Sequence, residues 1–450
     1  MTIKKRGVKV LDVKTPSIER KQLSAANRIA RHVADVLDIP ISVRLWDGSS
    51  VPLGRNVDKN FFLVIDGPRT VSTLLREPTL ENAVRHYAVG KIDFRGGDLL
   101  SFIDFVRKNN PKKRLKRLSK TLLLREALPF LFGPGEKLAP GHSFQKDETG
   151  TRQSTRNNKD YIQFHYDVGN AFYRLFLDEQ MQYSCAYFKE EGNSLDQAQL
   201  DKLEHTCRKL RLKPGESLLD IGSGWGGLIC YAAKNYGVRA HGVTLSKEQH
   251  AYTIEKAKRE GLEKQVTVEI GDYLNVRGTY DKVASVGMFE HIGLQNIPAY
   301  FSKMNSLLRD RGILLNHAIT RRAKGSRKEF DKIRSERRLI QKFIFPGFAM
   351  DHIGHSIEQM ELHGFEVRDV ESLREHYAFT LQHWTKRLES RREEAVRLVG
   401  EEKYRLWAAY LAGVSFGFTD GYSNIYQTVA VKRETKGFSG MPLTRQDVYS

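Results

Sequence analysis

The sequence predicts an α/β protein, with a mostly parallel sheet in its C-terminal two thirds and a smaller α+β domain before it. The chain has 450 residues, about three times a common domain length, which favours two or three domains. Beyond residue 160, apolar runs alternate with helical stretches, which is typical of a parallel sheet covered on both faces. Residues 133–160 are rich in Gly, Pro, Ser and charge, which indicates a linker. We therefore expect domains at 1–150 and 151–450.

The N-terminal region predicts short strands followed by helices. Apolar and polar residues alternate within 41–54 and 61–67, which indicates strands. Apolar residues recur with helical spacing from Thr79 to Tyr87 and from Leu99 to Val106. This mixture predicts a small α+β domain that is separate from the large sheet.

Seven apolar runs predict the strands of the large sheet. They are SLLDIG (217–222), VRAHGVTL (238–245), VTVEIGD (266–272), DKVASVGMF (281–289), GILLNHAI (312–319), FEVRDVESL (365–373) and IYQTVAVKR (425–433). Near-continuous apolar runs of this kind are expected where both faces of a strand are buried. A helical stretch at about residues 376–415 separates the last two strands, and we expect it to form a lid over the sheet.

The composition indicates a globular protein. Hydrophobic residues make up 40% of the chain and charged residues 28%, and no run approaches the ~18 apolar residues needed to cross a bilayer. The first residues lack the apolar run of an export signal. Cys185, Cys207 and Cys230 are odd in number and lack CxxC spacing, which argues against a disulfide framework and a structural metal site. We therefore expect a cytoplasmic protein without a bound metal.

Positive charge is concentrated in the first third of the chain. The whole chain has 73 Lys and Arg against 54 Asp and Glu, a net charge of +19, and residues 1–160 contribute 31 basic and 17 acidic residues, or +14. The densest group precedes the apolar stretch Leu122–Phe132 and consists of Lys112, Lys113, Arg114, Lys116, Arg117 and Lys120. Such a segment suits an anionic membrane surface, where each basic residue contributes about 1 kcal/mol. A solvated helix face is the alternative. Nucleic acid is disfavoured because no stacking aromatics are interleaved.

A glycine-rich turn, GSGWGG (222–227), joins the first strand of the large sheet to a helix. Glycines at such a turn let the backbone approach a ligand at the helix N-terminus. A nicotinamide dinucleotide site requires GxGxxG and an acidic residue about 20 positions further on, whereas the second strand here ends in Thr244 and Leu245. Asp220, just before the glycines, favours a pocket for S-adenosylmethionine instead. A turn that serves only helix packing is the alternative.

Six motifs then occur in a fixed order. They are HYDVGNAFYRLFLDEQMQYSCAYF (165–188), LLDIGSGWGGL (218–228), VTLSKEQ (243–249), SVGMFEHIG (285–293), LLNHAI (314–319) and HYAFTLQHW (376–384). With this set, residues 160–432 resemble the cyclopropane fatty acid synthase family of S-adenosylmethionine-dependent enzymes. The resemblance implies a class I methyltransferase fold, Rossmann-like and seven-stranded, with an N-terminal lipid-associated domain before it. It also implies action on unsaturated acyl chains of phospholipids or carrier-bound lipids, by a protein that is often a homodimer.

The resemblance implies two sets of site residues. The first set holds a bicarbonate ion that acts as a base, and it comprises Cys185, Glu290, His317, the backbone carbonyl of Ile319, and Tyr377. The second set, which includes the Asp220 noted above, contacts S-adenosylmethionine and comprises Tyr183, Ser184, Asp220, Gly222, Gly224, Thr244, Leu245, Gln249, Asp272 and Tyr273. Because a carboxylate repels bicarbonate in a dry pocket, Glu290 is expected to have a raised pKa or to share a proton.

The chemistry expected of this family explains why a dry pocket and a small base are needed. A cis alkene is a weak nucleophile, so the donor methyl group must be held close and in line. Methyl transfer leaves a carbocation, which closes to a ring when the added methyl loses a proton, and water must be kept away. We therefore predict cyclopropane formation on unsaturated phospholipid. A lipid C-methyltransferase, an RNA methyltransferase and a non-catalytic lipid-binding protein are the alternatives. Taken singly, Cys185, His317 and Tyr377 also fit ordinary buried positions.

Overall fold

The protein is described here from a computed structural model that covers residues 17–58, 61–108, 114–132, 135–136, 138, 141–146, 155–166, 168–434 and 437–449. The chain divides into two compact units, Met1–Gly141 and His142–Ser450. The second unit begins ahead of the boundary expected near residue 150. In the described ranges, no helix is long and apolar enough to cross a membrane.

The first unit is an α+β structure, as predicted. In chain order its elements are α1 (Ser17–Leu37), β1 (Ser42–Arg44), β2 (Ser50–Pro52), β3 (Phe62–Ile65), α2 (Pro68–Arg76), α3 (Leu80–Ala88), β4 (Ile92–Arg95), α4 (Leu99–Lys108) and α5 (Lys120–Leu131). The sheet order is β2-β1-β3-β4, with β1 and β3 parallel and the other neighbours antiparallel. Helix α1 lies before the region in which elements were predicted. Its buried alanines and leucine follow helical spacing and pack on the sheet.

The predicted basic segment is only partly described. Lys112 and Lys113 lie outside the described residues. The side chain of Arg114 donates a hydrogen bond to the Leu37 carbonyl oxygen (2.7 Å), so it closes the end of α1. Lys116 and Arg117, in the turn before α5, and Lys120, its first residue, are exposed.

The second unit is built on a seven-stranded sheet. Its strands are β5 (Ser217–Ile221), β6 (Arg239–Thr244), β7 (Val266–Ile270), β8 (Tyr280–Val286), β9 (Leu308–Arg321), β10 (Phe365–Ser372) and β11 (Ser423–Lys432). The order across the sheet is β10-β11-β9-β8-β5-β6-β7, with β11 antiparallel to both neighbours and all other neighbouring pairs parallel. All seven predicted strands are confirmed, and β9 begins a few residues earlier than predicted.

Helices cover both faces of this sheet. They are α6 (Thr155–Tyr166), α7 (Asn170–Tyr173), α8 (Leu195–Leu210), α9 (Gly227–Tyr236), α10 (Lys247–Arg259), α11 (Ile297–Leu307), α12 (Arg327–Asp331), α13 (Ser335–Phe343), α14 (Ile353–Leu362), α15 (Arg374–Ser390), α16 (Arg392–Val399), α17 (Glu401–Thr419) and α18 (Gln446–Tyr449). One core joins α8 and α9 to the strands, and the other joins α11 and α14 to them. The predicted helical excursion between β10 and β11 is confirmed as α15, α16 and α17.

One prediction about the linker is wrong in part. Helix α6 begins at Thr155, inside the segment that was predicted to be an unstructured linker up to residue 160. The physical reason is that Tyr161 and His165, one helical turn apart, are both buried, so this stretch has a face that packs within the second unit. The segment 147–154 lies outside the described residues.

Candidate active site

A cavity opens where the parallel strands end. It is lined by residues that directly follow β5, β6, β7 and β8, and by the segment 181–184 that precedes α8. Ligands bind at this edge in open parallel sheets because the turns after the strands expose backbone groups there. Ten residues were predicted to contact S-adenosylmethionine, and all ten line this cavity: Tyr183, Ser184, Asp220, Gly222, Gly224, Thr244, Leu245, Gln249, Asp272 and Tyr273.

The glycine turn after β5 forms the floor of the cavity. The amides of Gly222 and Ser223 both donate to the Val243 carbonyl oxygen at 3.0 Å, which ties the turn to the end of β6. Gly226 has a φ of +76°, and a Cβ atom there would lie 2.5 Å from Cγ2 of Thr253. Only glycine satisfies both conditions, so the backbone can pass close to a ligand at the start of α9.

The opposite wall carries polar side chains suited to a ribose and a purine. Thr244 and Gln249 are buried, and the Thr244 hydroxyl donates to Oε1 of Gln249 at 2.7 Å. Oδ1 of Asp272 accepts a hydrogen bond from the Leu274 amide at 3.0 Å, which fixes the carboxylate at the cavity wall. Hydroxyl, amide and carboxylate groups in this arrangement can bond to ribose hydroxyls and ring nitrogens.

Lys202 is a cavity residue that the sequence analysis missed. Its side chain on α8 is buried, and its Nζ donates to the Ser184 hydroxyl (3.0 Å) and to Oε1 of Gln182. Burial lowers the pKa of Lys202 to about 8. The signal was present in the sequence, because Lys202 falls four residues after the buried Ala198 and thus on the apolar face of its helix.

Asp220 is a second buried ionisable residue in the cavity lining, and it has no counter-ion in direct contact among the described residues. Its Oδ1 atom is buried and has no hydrogen-bond partner among the described residues, and burial raises the pKa of Asp220 to about 7. A buried carboxyl and a buried ammonium beside one cavity fit a ligand that carries both charges. The methionyl end of S-adenosylmethionine has an ammonium and a carboxylate, so these residues fit that group.

The five residues predicted to hold a base lie next to the cavity rather than in its wall. None of them is among its lining residues, although Cys185 directly follows Ser184, and Glu290 directly precedes the lining residue His291. Oε1 of Glu290 accepts a hydrogen bond from the Ile319 amide of β9.

The same five residues are connected through β9, β11 and Leu373, whose amide donates to the Ile425 carbonyl oxygen of β11 (2.9 Å). The Cys185 thiol (3.7 Å) and the Tyr377 amide (3.0 Å) both donate to the Leu373 carbonyl oxygen. Ile319 and His317 of β9 pair directly with residues of β11, and His317 Nδ1 lies 3.1 Å from Nε2 of Gln427. Burial raises the pKa of Tyr377, and the nearby Tyr410, Cys185 and Glu290 raise it further.

Two polar atoms in this group have no partner. Oε2 of Glu290 and Nε2 of His317 are buried, and neither has a hydrogen-bond partner in the described part of the chain. Burial raises the pKa of Glu290 to about 7, the predicted direction, and lowers the pKa of His317 to about 3. Burying such atoms unpaired is unfavourable by about 1–3 kcal/mol each, so they fit a small polar ligand.

Aromatic side chains pack around Tyr377 of this group. Rings of Tyr183 and Trp384 lie 5.2 Å apart, and Tyr377 packs on Phe418 at 4.7 Å. Trp384 and Trp407, from the helices between β10 and β11, are almost fully buried. The helical excursion therefore supplies an apolar, water-excluding wall to the site.

Comparison with known proteins identifies the family. Residues 153–428 match the family model described as mycolic acid cyclopropane synthetase, which is more than half of the chain. The chain belongs to the mycolic acid cyclopropane synthetase family. A relative named "Probable fatty acid methyltransferase" from Pseudomonas putida is 37% identical over 417 residues, which is 92% of this chain and 97% of the relative. "Cyclopropane mycolic acid synthase 1" from Mycobacterium tuberculosis is 34% identical over 60% of this chain and 96% of its own length.

Solved structures of this family agree with the fold. The cyclopropane synthase MmaA2 from Mycobacterium tuberculosis is 33% identical with a TM-score of 0.58, over 61% of this chain and 98% of that one. Mycolic acid cyclopropane synthase CmaA1, solved as a complex with SAH and CTAB, is 34% identical with a TM-score of 0.58, over 61% of this chain and 98% of that one. The sequence-based family assignment is confirmed, and the second unit is a class I methyltransferase. The protein is an S-adenosylmethionine-dependent methyltransferase that acts on lipid acyl chains.

Proposed function

We propose that this family member transfers a methylene group from S-adenosylmethionine to a cis double bond in an acyl chain of an unsaturated phospholipid, forming a cyclopropane ring. The observation that carries the proposal is the pair of buried, unpartnered atoms, Glu290 Oε2 and His317 Nε2, beside the donor cavity and inside an aromatic wall. A plain methyl transfer to an exposed nucleophile needs no such pair of atoms. Ring formation does need them, because a base must be held in the dry pocket to remove a proton from the added methyl group.

The donor is held by the ten predicted cavity residues together with Lys202. Lys202 bonds to the donor carboxylate and Asp220 to its ammonium, because each is buried beside the cavity without a counter-ion in contact. The glycine turn brings backbone amides to the same end of the ligand. Tyr183 and Ser184 lie where the chain passes from the donor cavity to Cys185. Fixing the donor at both ends orients its methyl group toward the neighbouring apolar space, and such positioning lowers the barrier by several kcal/mol.

The base is a bicarbonate ion held by Cys185, Glu290, His317, Tyr377 and the Ile319 backbone. The two unpartnered atoms support this proposal, because one oxyacid can bond to both a carboxyl and an imidazole. Bicarbonate would supply a small acceptor for the proton that leaves the methyl group. Glu290 holds its own proton up to a pKa of about 7, so the carboxyl donates to an anion rather than repelling it.

The aromatic wall protects the cationic stage of the reaction. Trp384, Trp407 and Phe418 come from the helices between β10 and β11 and leave little room for water. Aromatic faces also stabilise a nearby positive charge. The same helices therefore exclude water, which would trap the cation, and they favour formation of the cation.

The first unit contacts an anionic membrane surface at the inner face of the membrane. Leu124, Leu128 and Phe132, spaced four residues apart on α5 and at its end, are 66%, 49% and 86% exposed. Exposed Lys116 and Arg117 lie just before the same helix, and exposed Lys120 is its first residue. An apolar stripe with basic residues beside it is typical of an interfacial helix, so α5 supports peripheral attachment.

A methyl-branched product is the second candidate. The relative from Pseudomonas putida is named a fatty acid methyltransferase, and the same carbocation gives a branched alkene when the proton leaves a neighbouring chain carbon. The residues proposed to hold bicarbonate beside the donor cavity favour the ring, because a base held there takes the proton from the added methyl group. A ring and a methyl-branched alkene are isomers, so their masses do not separate them.

The direct test uses purified protein, labelled S-adenosylmethionine, bicarbonate and vesicles of a cis-monounsaturated phospholipid. We expect label in the lipid and an upfield ring-methylene proton in its NMR spectrum. The product should resist mild hydrogenation, because a ring takes up no hydrogen under those conditions. A labelled product that is readily hydrogenated identifies the branched alkene and overturns the ring. Absence of any labelled lipid overturns the phospholipid substrate.

A further inference from the structure

A second basic segment lies in the methyltransferase unit and begins at Arg321, the last residue of the strand that carries His317 and Ile319. Residues 321–342 contain ten Lys and Arg and three Asp and Glu, a net charge of +7. This exceeds the net charge of +5 on all of residues 161–450, so the rest of the unit is slightly acidic. The total over residues 161–450 hides this local excess. A patch of this sign beside the active site attracts anionic substrates.

Two arginines of the segment are partly buried, and among the described residues each has buried donor atoms without a hydrogen-bond partner. Nη2 of Arg321 is buried without a hydrogen-bond partner, and so are Nε and Nη1 of Arg337 on α13. Arg321 is held in place, because its Nε donates to the Met350 carbonyl oxygen at 3.2 Å and its guanidinium lies 3.5 Å from the ring centre of Phe330. Its remaining donors are therefore preorganised and unused.

The carboxylates nearest to these arginines are engaged elsewhere. Asp331 accepts two hydrogen bonds from Nε of Arg327, at 3.0 and 2.9 Å. Asp351 bonds to His355 and to Ser356. Across the described ranges, neither Arg321 nor Arg337 forms an ion pair.

The guanidinium of Arg321 lies within the field of the Arg337 charge. Burial, and then the charge of Arg337, lower the pKa of Arg321 to about 10, and the charges of Asp331 and Asp351 offset this only in part. Two like charges that are partly removed from water and have unused donors destabilise the site unless an anion joins them. A tetrahedral oxyanion suits this arrangement, because guanidinium groups bond to phosphate in paired, planar geometry.

We infer that Arg321 and Arg337 bind the phosphate of the phospholipid substrate while its acyl chain occupies the active site. This inference rests on the proposed function and names the group that anchors its substrate. In a strand, alternate residues share one face, so His317, Ile319 and Arg321 point to the same side of β9. Four residues of strand span roughly 13 Å. A phosphate at Arg321 therefore lies away from the base site by a distance that suits a mid-chain double bond.

The test compares two substrates that carry the same acyl chains. Dioleoylphosphatidylglycerol has the phosphate, and dioleoylglycerol lacks it; both are presented in the same neutral detergent micelles to avoid bulk membrane attraction. For the wild type, we expect kcat/KM to favour the phospholipid by about tenfold or more. Arg337→Gln should lose most of that preference through a higher KM for the phospholipid, with turnover of dioleoylglycerol unchanged. Arg338→Gln is the matched control, since it removes the same charge from an exposed position on the same helix.

Thermal stability distinguishes phosphate binding from a purely structural role of Arg337, because the two roles predict opposite changes in melting temperature. Without substrate, Arg337→Gln should melt at the same temperature as the wild type or higher, because it removes an unpaired, partly buried charge. Added sn-glycerol 1-phosphate should raise the melting temperature of the wild type and of Arg338→Gln, but not that of Arg337→Gln. A lower melting temperature together with an unchanged phospholipid preference shows a structural arginine and overturns the inference.

The outcomes separate this inference from the proposed function. Equal turnover of both lipids by the wild type leaves ring formation standing and removes the phosphate site. Turnover of neither lipid removes the proposed function itself. Turnover only of an acyl chain attached to an acidic carrier protein assigns the basic segment to a protein partner and overturns the phospholipid phosphate.

Discussion

Replacing Glu290 by Gln is expected to stabilise the folded protein while abolishing ring formation. Burial raises the pKa of this carboxyl from 4.5 to about 7 in the folded state. Below about pH 4.5 the carboxyl is protonated in both states and has no effect on stability. Between about pH 4.5 and 7 the unfolded chain is ionised while the folded chain keeps the proton, so stability falls as pH rises, by about 3 kcal/mol in total. Above about pH 7 the penalty is constant. Gln removes this penalty and still offers an oxygen to the Ile319 amide.

The assay is chemical or thermal unfolding of both proteins in bicarbonate-free buffer at about pH 5 and about pH 8. The variant should gain several degrees in melting temperature at the higher pH and much less at the lower one. Binding of S-adenosylmethionine should be unchanged and ring formation lost. Glu361→Gln is the control, because Glu361 is exposed and should give no pH-dependent gain. A gain that is equal at both pH values, or a variant that still forms rings, would contradict the reasoning.

Three further substitutions test other parts of the site. Lys202→Met should weaken donor binding by about tenfold or more, as measured by calorimetry. The melting temperature should not fall, because the substitution removes a buried ammonium. Unchanged affinity would exclude Lys202 from donor binding. Gly227→Ala should destabilise the protein by about 1–3 kcal/mol, because its Cβ would lie 1.8 Å from Nε2 of Gln182. The control is Gly413→Ala, in an open helical position, which should be neutral or stabilising. Equal effects at the two glycines would refute the steric reasoning. Tyr377→Phe should lower the rate of ring formation and leave donor affinity intact, and unaltered turnover would remove the hydroxyl from the base set.

The fold and the donor site were largely predictable from the sequence. Buried parallel strands are near-continuous apolar runs, so all seven were found from local pattern alone. The glycine turn after β5 was visible in the sequence itself, at the edge of the sheet where ligands bind in parallel folds. The ten residues that line the cavity were expected from the resemblance to the cyclopropane fatty acid synthase family. Local pattern therefore predicted the strands and the turn, and the resemblance supplied the other cavity residues.

The remaining features depend on contacts between distant segments. Lys202 is a site residue because α8 packs on the segment that carries Ser184, and a charge on an apolar face does not reveal which partner it meets. Helix α6 forms because Tyr161 and His165 find a surface to pack on, although the local composition is that of a linker. Arg321 and Arg337 are separated by sixteen positions, and only the fold shows that, among the described residues, both have buried donor atoms without a hydrogen-bond partner.

The most direct test of the account is the fate of the transferred methyl group. S-adenosylmethionine with a trideuterated methyl group is incubated with the enzyme and an unsaturated phospholipid, and the isotope content of the product is measured by mass spectrometry. Loss of a proton from the added methyl predicts a product that retains two deuterium atoms in a ring methylene. A product that retains all three would show that the proton leaves the acyl chain, which contradicts a base directed at the methyl group.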